Sequence, residues 1–492
     1  MQSYSLIITL SLVLISSSSI VRAQAQTPQE KYEAFKKQSV QTYGDFRRKV
    51  NHEYAEFMRK AWLLYNNEKP VPIPKEDNSV PPIPYEEDKE EKQEDVVVSP
   101  IKEEPVQPEV IPQPLPIEPI KEIPQPGVTP FKSDFYGIEC AIRLPKTKQI
   151  SLNDISPEEI ANAWEKLSNS DMDNAIRDCL EMRIRYNLCD WAYLSMLDKI
   201  AHDWSQDQNV GTLLMAFIFC QSGYQMRLAK DDSRLLMLYG SKHLIYNKTY
   251  FRIDGENFYP YGTPSKSVNI CNAKYMGETP MSLIISAEQS LGNEMSDVRD
   301  IKSKRYSDVE INSQVPKNLI KFFDQYPTSA IGDNIMTRWA MYANTPLAQK
   351  TKDTVYPELM KSIEGCSAEL SANKLLNFVQ TGFVYEYDDK VWGHDRAFFA
   401  EETLYYPYCD CEDRSILFSR LIRDLLNLDV ALIYYPGHLA TAVCFNEDVA
   451  GDAIMIDGRK FTVCDPTYIG APVGKQMPKL EYNKMQSIVL KR

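Results

Sequence analysis

Between residues 70 and 130 the chain concentrates 16 of its 31 prolines, together with 14 acidic residues against 5 lysines and no arginine. Proline removes a backbone donor and fixes φ, and like charges at this density repel, so such a segment cannot supply a core. The composition predicts an extended, solvated linker over 67–130, with service as a proline-rich ligand as its alternative use. What folds in these 492 residues must therefore come from a short N-terminal arm and a body that starts at about 131. The length suggests about three units. The linker carries a net charge of −9 out of −13 for the whole chain. That balance argues against a nucleic-acid partner and against an anionic membrane surface.

In the arm, an apolar run from Leu6 to Ile15, a serine cluster and Val21-Arg22-Ala23 fit a secretory signal peptide over 1–25, although no basic residue precedes the run. The expectation is an exported protein, periplasmic, cell-surface or secreted, with no integral membrane segment, since no later apolar run is long enough to span a bilayer. Over 27–66, Tyr43, Phe46, Val50, Tyr54, Phe57, Ala61 and Leu64 step by three or four residues, which predicts one amphipathic helix. Its stripe needs a surface to bury against, either the body or a partner chain.

The body reads as α+β. Residues 156–222 are helical in pattern; after Gly223 come strand-like runs such as LLMLY and ENFYPY; helices return from Pro316 to about Phe378. We divide it into a helical and β domain over 131–360 and a last domain over 361–492.

The last domain holds the chemistry. Cys409 and Cys411 stand one residue apart, which leaves a metal pair, a redox pair or a single nucleophile open. Two cysteines at that spacing, with His438 as third ligand, make a poor zinc site, and a disulfide between them would close a strained ring. Cys411 precedes Ile416, Leu417, Phe418, Leu421, Ile422 and Leu425, an apolar face at helical spacing, so it lies at a helix start, where free N–H groups favour a thiolate. Four short β-prone runs follow, the second opening at His438 and the fourth closing at Asp465. If they pair, thiol, imidazole and carboxylate meet at one end of the sheet, the set that nucleophilic acyl chemistry uses.

The stretches CEDRSILFSRLIRDLL around Cys411, YPGHLATAVCF around His438 and VCDPTY around Asp465 resemble, in order and context, the transglutaminase-like superfamily of papain-like folds. The resemblance covers about 120 residues and implies a helix plus antiparallel sheet, a Cys411–His438–Asp465 triad and an oxyanion donor upstream of the cysteine, for which Gln380 is the matching side chain. It implies a protein or peptide substrate, with the thioester resolved by water or by an amine, and calls for no cofactor and no metal. Departing from the usual pattern, Cys409 replaces a glycine and is expected at the cleft rim. His394 is a further imidazole, expected at the surface or behind the site. A non-catalytic envelope scaffold that binds peptides is the alternative.

One internal echo stands out. At an offset of 203 or 204 residues, the stretches GYQMRLAKDDSRLLMLY and FRIDGENFYPY can be laid over LDVALIYYPGHLATAV and IMIDGRKFTVC, including Ile253-Asp254-Gly255 over Ile456-Asp457-Gly458. The three catalytic positions fall on Asp207, Arg234 and Gly262. The middle domain is thus expected to be a degenerate copy without the nucleophile.

Overall fold

In the computed structural model, residues 44–74, 80–86, 129–145, 150–168 and 171–490 are described. The expected signal peptide, the start of the predicted arm helix and most of the predicted linker lie outside them. The described residues from Arg47 onward form one compact unit.

The architecture of this unit rests on two antiparallel sheets. The first orders its strands Trp62–Asn66, Ser267–Cys271, Met226–Asp231, Arg234–Gly240, Glu256–Pro260 and Phe251–Ile253. The second orders them Gln486–Val489, Asp429–Tyr435, His438–Cys444, Arg459–Cys464 and Ala453–Ile456. Apart from the extra edge strand Trp62–Asn66, the two share one strand order. Each central hairpin turns through two residues, with Asp231 opposite Arg234 in one and Tyr435 opposite His438 in the other. Each outer hairpin turns through Asp-Gly with both residues at positive φ, Asp254-Gly255 and Asp457-Gly458, the conformation that suits strand twist and that glycine adopts without cost. A helix precedes each central hairpin and packs on its second strand: Gln208–Gln221 in the first half, Cys411–Leu421 in the second.

Side chains alternate along the strands. Val430 and Leu432 face the large core, which runs without a break from helix Pro157–Leu167 to the Cys411 helix, whereas Ala431, Ile433 and Tyr435 face a smaller cluster on the other side of the sheet. The expected boundary near residue 360 is thus bridged by one shared core.

The arm and linker differ from expectation. Residues 44–58 are helical, but the chain turns at Arg59 and Lys60, and Trp62–Asn66 joins the first sheet as an edge strand. A three-to-four residue stripe and a β-prone run of Trp, Leu, Leu and Tyr overlap here, and backbone pairing with Ser267–Cys271 decides for the strand. The face that is buried is Asn51, Tyr54, Ala55 and Met58, while Phe57 is 64% exposed. Nor is all of 67–130 free in solvent. Glu68 N donates to Tyr250 O at 2.7 Å and Asn247 N to Val71 O at 2.7 Å. Further on, Val80 N donates to Gly437 O at 2.9 Å, Ile469 N to Ile83 O at 3.0 Å, and Tyr85 N to Ile469 O at 2.8 Å. Val80, Ile83 and Tyr85 cover the outer cluster of the second sheet.

Candidate functional site

Cys411 is the first residue of its helix, behind the extended N-cap Asp410. Asp413 supports the cap by accepting from Asp410 N at 3.2 Å, and its other oxygen accepts from Phe398 N at 2.8 Å. One turn further, Ser415 Oγ donates to Leu439 O at 2.8 Å, which fastens the helix to the residue after His438. His438 itself opens its strand directly after Gly437, whose φ of 78° is a left-handed value suited to glycine.

Asp465 follows strand Arg459–Cys464. Thr441 pairs with Cys464 in the ladder, so Asp465 lies one step beyond, on the side towards His438. Its Oδ1 accepts from Thr467 N at 2.8 Å and Tyr468 N at 3.2 Å, and its Oδ2 lies 2.9 Å from His438 Nε2. This arrangement places the Nε2 proton towards Asp465. His438 Nδ1 is buried and accepts no hydrogen bond from the described residues. A neutral ring with this tautomer keeps an open lone pair at Nδ1, the atom that would take a thiol proton.

The thiol of Cys411 donates to Glu412 Oε2 at 3.2 Å. Cys411, His438 and Asp465 are 3%, 0% and 1% exposed, so all three are closed off from solvent. Tyr385 stands close by: burial, then the negative charge of Cys411, Asp410 and Glu412, push its phenol up, so it stays a donor. Burial also raises the carboxyls around the helix start, with neighbouring carboxylates adding to the effect: Asp388 is pushed up to about 8, and Asp410 and Asp413 well above the usual range.

Gln380 does not serve the cleft. Its Nε2 donates to Asp465 O at 3.0 Å, Tyr468 O at 2.8 Å and Ala471 O at 3.1 Å, and its Oε1 accepts from Gly470 N at 3.0 Å. Both amide hydrogens are committed to carbonyls, which leaves none for an oxyanion and makes Gln380 the clamp of the Asp465 loop. Arg414 completes the clamp, reaching Pro466 O, Gln380 O and Phe383 O from the Cys411 helix. Cys409 is likewise off the rim. It is buried, its sulfur accepts from Arg414 Nε at 3.5 Å, and burial raises its thiol despite that guanidinium. Low thiolate content at Cys409 separates it chemically from a nucleophile. Neither Cys409 nor His438 belongs to any convergent set of metal-ligand atoms among the described residues. His394 is exposed, with Nδ1 3.0 Å from Trp392 O.

Sequence reasoning missed Tyr385, Glu412 and Arg414. Glu412 and Arg414 sit in the cysteine-bearing motif, but only the fold distinguishes an inward charge from a solvated one.

At the matching end of the first sheet, Asp207 caps helix Gln208–Gln221 by accepting from Asn209 N and Val210 N, and Arg234 pairs with Asp231. A cavity of about 390 Å³ opens there, lined by Asp198, His202, Asn209, Arg234 and Tyr261 among others. Comparison with protein-family models, with curated proteins and with solved structures finds no match.

Proposed function

We propose that the chain is an exported thiol-dependent acyl-transfer enzyme of the transglutaminase-like type, which hydrolyses amide bonds in protein or peptide substrates. The observation that carries this reading is the buried His438–Asp465 pair with Nδ1 open, at the sheet end fastened to the helix that starts at Cys411. In the reaction, the thiol proton passes to His438 Nδ1 as sulfur bonds to the carbonyl carbon. The oxyanion receives hydrogen bonds from the Cys411 N–H and the Tyr385 hydroxyl. The C–N bond then breaks as His438 returns the proton to the leaving amine. Water, deprotonated by His438, cleaves the thioester to an acid and restores the thiol; an amine in its place would give cross-linking. Asp465 holds the tautomer and steadies the imidazolium.

A non-catalytic envelope scaffold is the second reading, favoured by the deep burial of all three groups and by the bond from Cys411 to Glu412. Limiting alkylation of the folded protein at about pH 6 separates the two. The enzyme reading expects selective labelling of Cys411 that is lost in His438→Ala, together with peptide cleavage lost in Cys411→Ala. Slow labelling indifferent to His438, with no cleavage in peptide libraries, would leave the scaffold.

A further inference from the structure

The stretch VPPIPY at 80–85 belongs by composition to the proline-rich segment, yet it is held on the second sheet at both of its ends. Val80 N donates to Gly437 O at 2.9 Å, directly before His438. Tyr85 N donates to Ile469 O at 2.8 Å and Ile469 N to Ile83 O at 3.0 Å, which puts Pro84 at the centre of a parallel bridge to Ile469. The residue at the centre of such a bridge makes no bond on that side, because its two neighbours make both. Proline fits that place without loss, since the N–H it lacks is not called on. Pro81 and Pro82 likewise leave no donor unpaired between the two attachments. Ile83 and Tyr85, two residues apart, both cover the outer cluster, and the Tyr85 ring meets that of Tyr468 edge-on with centroids 5.5 Å apart.

The two attachments are the two loops that carry the proposed base and its carboxylate. Tyr468 N donates to Asp465 Oδ1 at 3.2 Å, so the backbone next to Ile469 shapes the seat of that carboxylate. Gln380 holds this loop from within, through Tyr468 O and Gly470 N, and residues 83–85 hold it from the outer side. At the other attachment, the cluster that the segment covers includes Tyr435, whose ring stacks on the His438 imidazole at 6.4 Å and 21°. Covering that cluster needs only apolar side chains. The choice of Gly437 and Ile469 as backbone partners is what couples the segment to the pair, since the loops it joins are those whose side chains meet at 2.9 Å.

We propose that residues 80–85 form a positioning strap, an extended proline-rich strand whose seating on Gly437 and Ile469 fixes the distance and angle of the His438–Asp465 pair. Its hydrogen bonds go to the loops that carry these residues, so it acts through them. Its part in catalysis rests on the role proposed for His438; its effect on the geometry of the pair does not, and would stand even if the chain cleaved no amide.

In the full chain, Ile83→Ala together with Tyr85→Ala releases the strap, while Tyr85→Phe keeps the ring and serves as the conservative control. The chain has five histidines, few enough for NMR of the labelled imidazoles to read each one. The His438 ring signals should move in the double variant, those of His202 and His243 in the first half should stay, and Tyr85→Phe should move none of them. Unmoved His438 signals in the folded double variant overturn the strap, whether or not the protein is an enzyme. In steady-state kinetics, kcat should fall at least about tenfold with KM within about twofold, because a loosened general base is misplaced without any loss of substrate contacts. A loss confined to KM, or none at all, also overturns the proposal. Wild type that cleaves no peptide would remove the enzyme reading alone, and the imidazole signals would still decide on the strap. Should the double variant fail to fold, Tyr85→Ala is read in its place. Hydrogen exchange on the wild type gives a check without any substitution: the Val80 and Tyr85 amides should exchange at least about tenfold more slowly than in a free peptide, and exchange at the free rate refutes the seating.

Discussion

The two sheets share strand order, hairpin geometry and a preceding helix, yet their matching ends differ in chemistry. In the second, a cysteine begins the helix and a histidine paired to an aspartate begins the strand. In the first, the same places hold a capping aspartate, an arginine tied to Asp231, and Gly262. The contrast teaches that the scaffold alone supplies a helix start facing a strand start, while three side chains decide whether that junction has a nucleophile. We read the first half as a degenerate copy serving packing or substrate recognition.

The largest expected effect tests this contrast directly. Cys411→Ala or His438→Ala should lower peptide cleavage by about 10³-fold or more, whereas Asp207→Ala and Arg234→Ala should leave kcat within about twofold. A comparable loss in the latter pair, measured on folded protein, would make the halves partners in one reaction. Next in size is Asp465→Asn, which keeps the shape but loses the charge that fixes the tautomer. A fall in kcat of about 10²-fold or more, with KM little changed, is the expected outcome of steady-state kinetics.

Stability effects are smaller. Gln380→Ala removes four hydrogen bonds of the Asp465 loop, three of them buried, and should cost about 3 kcal/mol in urea unfolding. The first half contributes a pH effect of its own. His243 is fully buried, accepts from Leu283 N at 3.2 Å, and is pushed down to about 4 by burial alone. Its folded value lies below its unfolded one, so the unfolded chain takes up the proton first. The stability it contributes is present above about pH 6.5 and is lost as pH falls towards 4, by about 3 kcal/mol in all. A urea-midpoint profile that stays equally steep in a folded His243→Gln variant would assign the effect elsewhere.

The hairpins and the helix start at Cys411 were legible in sequence because they depend on local signals: alternation, Asp-Gly turns, and a helix face after Cys411. The side-chain clamps were not. Gln380 lies 85 residues before Asp465, and nothing in LLNFVQTGF tells a loop clamp from an oxyanion donor. Asp388 is likewise remote in sequence from Asp410 and Asp413, so their approach needed the fold. The Trp62–Asn66 strand was hidden because its partner strand begins about 200 residues later.

The moorings of the arm and linker also set where the chain can be shortened. Composition invites a cut near residue 130, but such a version would lose the edge strand Trp62–Asn66 and the buried turn around Tyr54 and Met58. It would also uncover the apolar patch around Ala431, Ile433 and Tyr435, which adjoins the turn that presents His438. The smallest piece that keeps its own surfaces wetted as the whole does begins near Arg47, and solubility trials on anything shorter would report on a wounded sheet rather than on the protein.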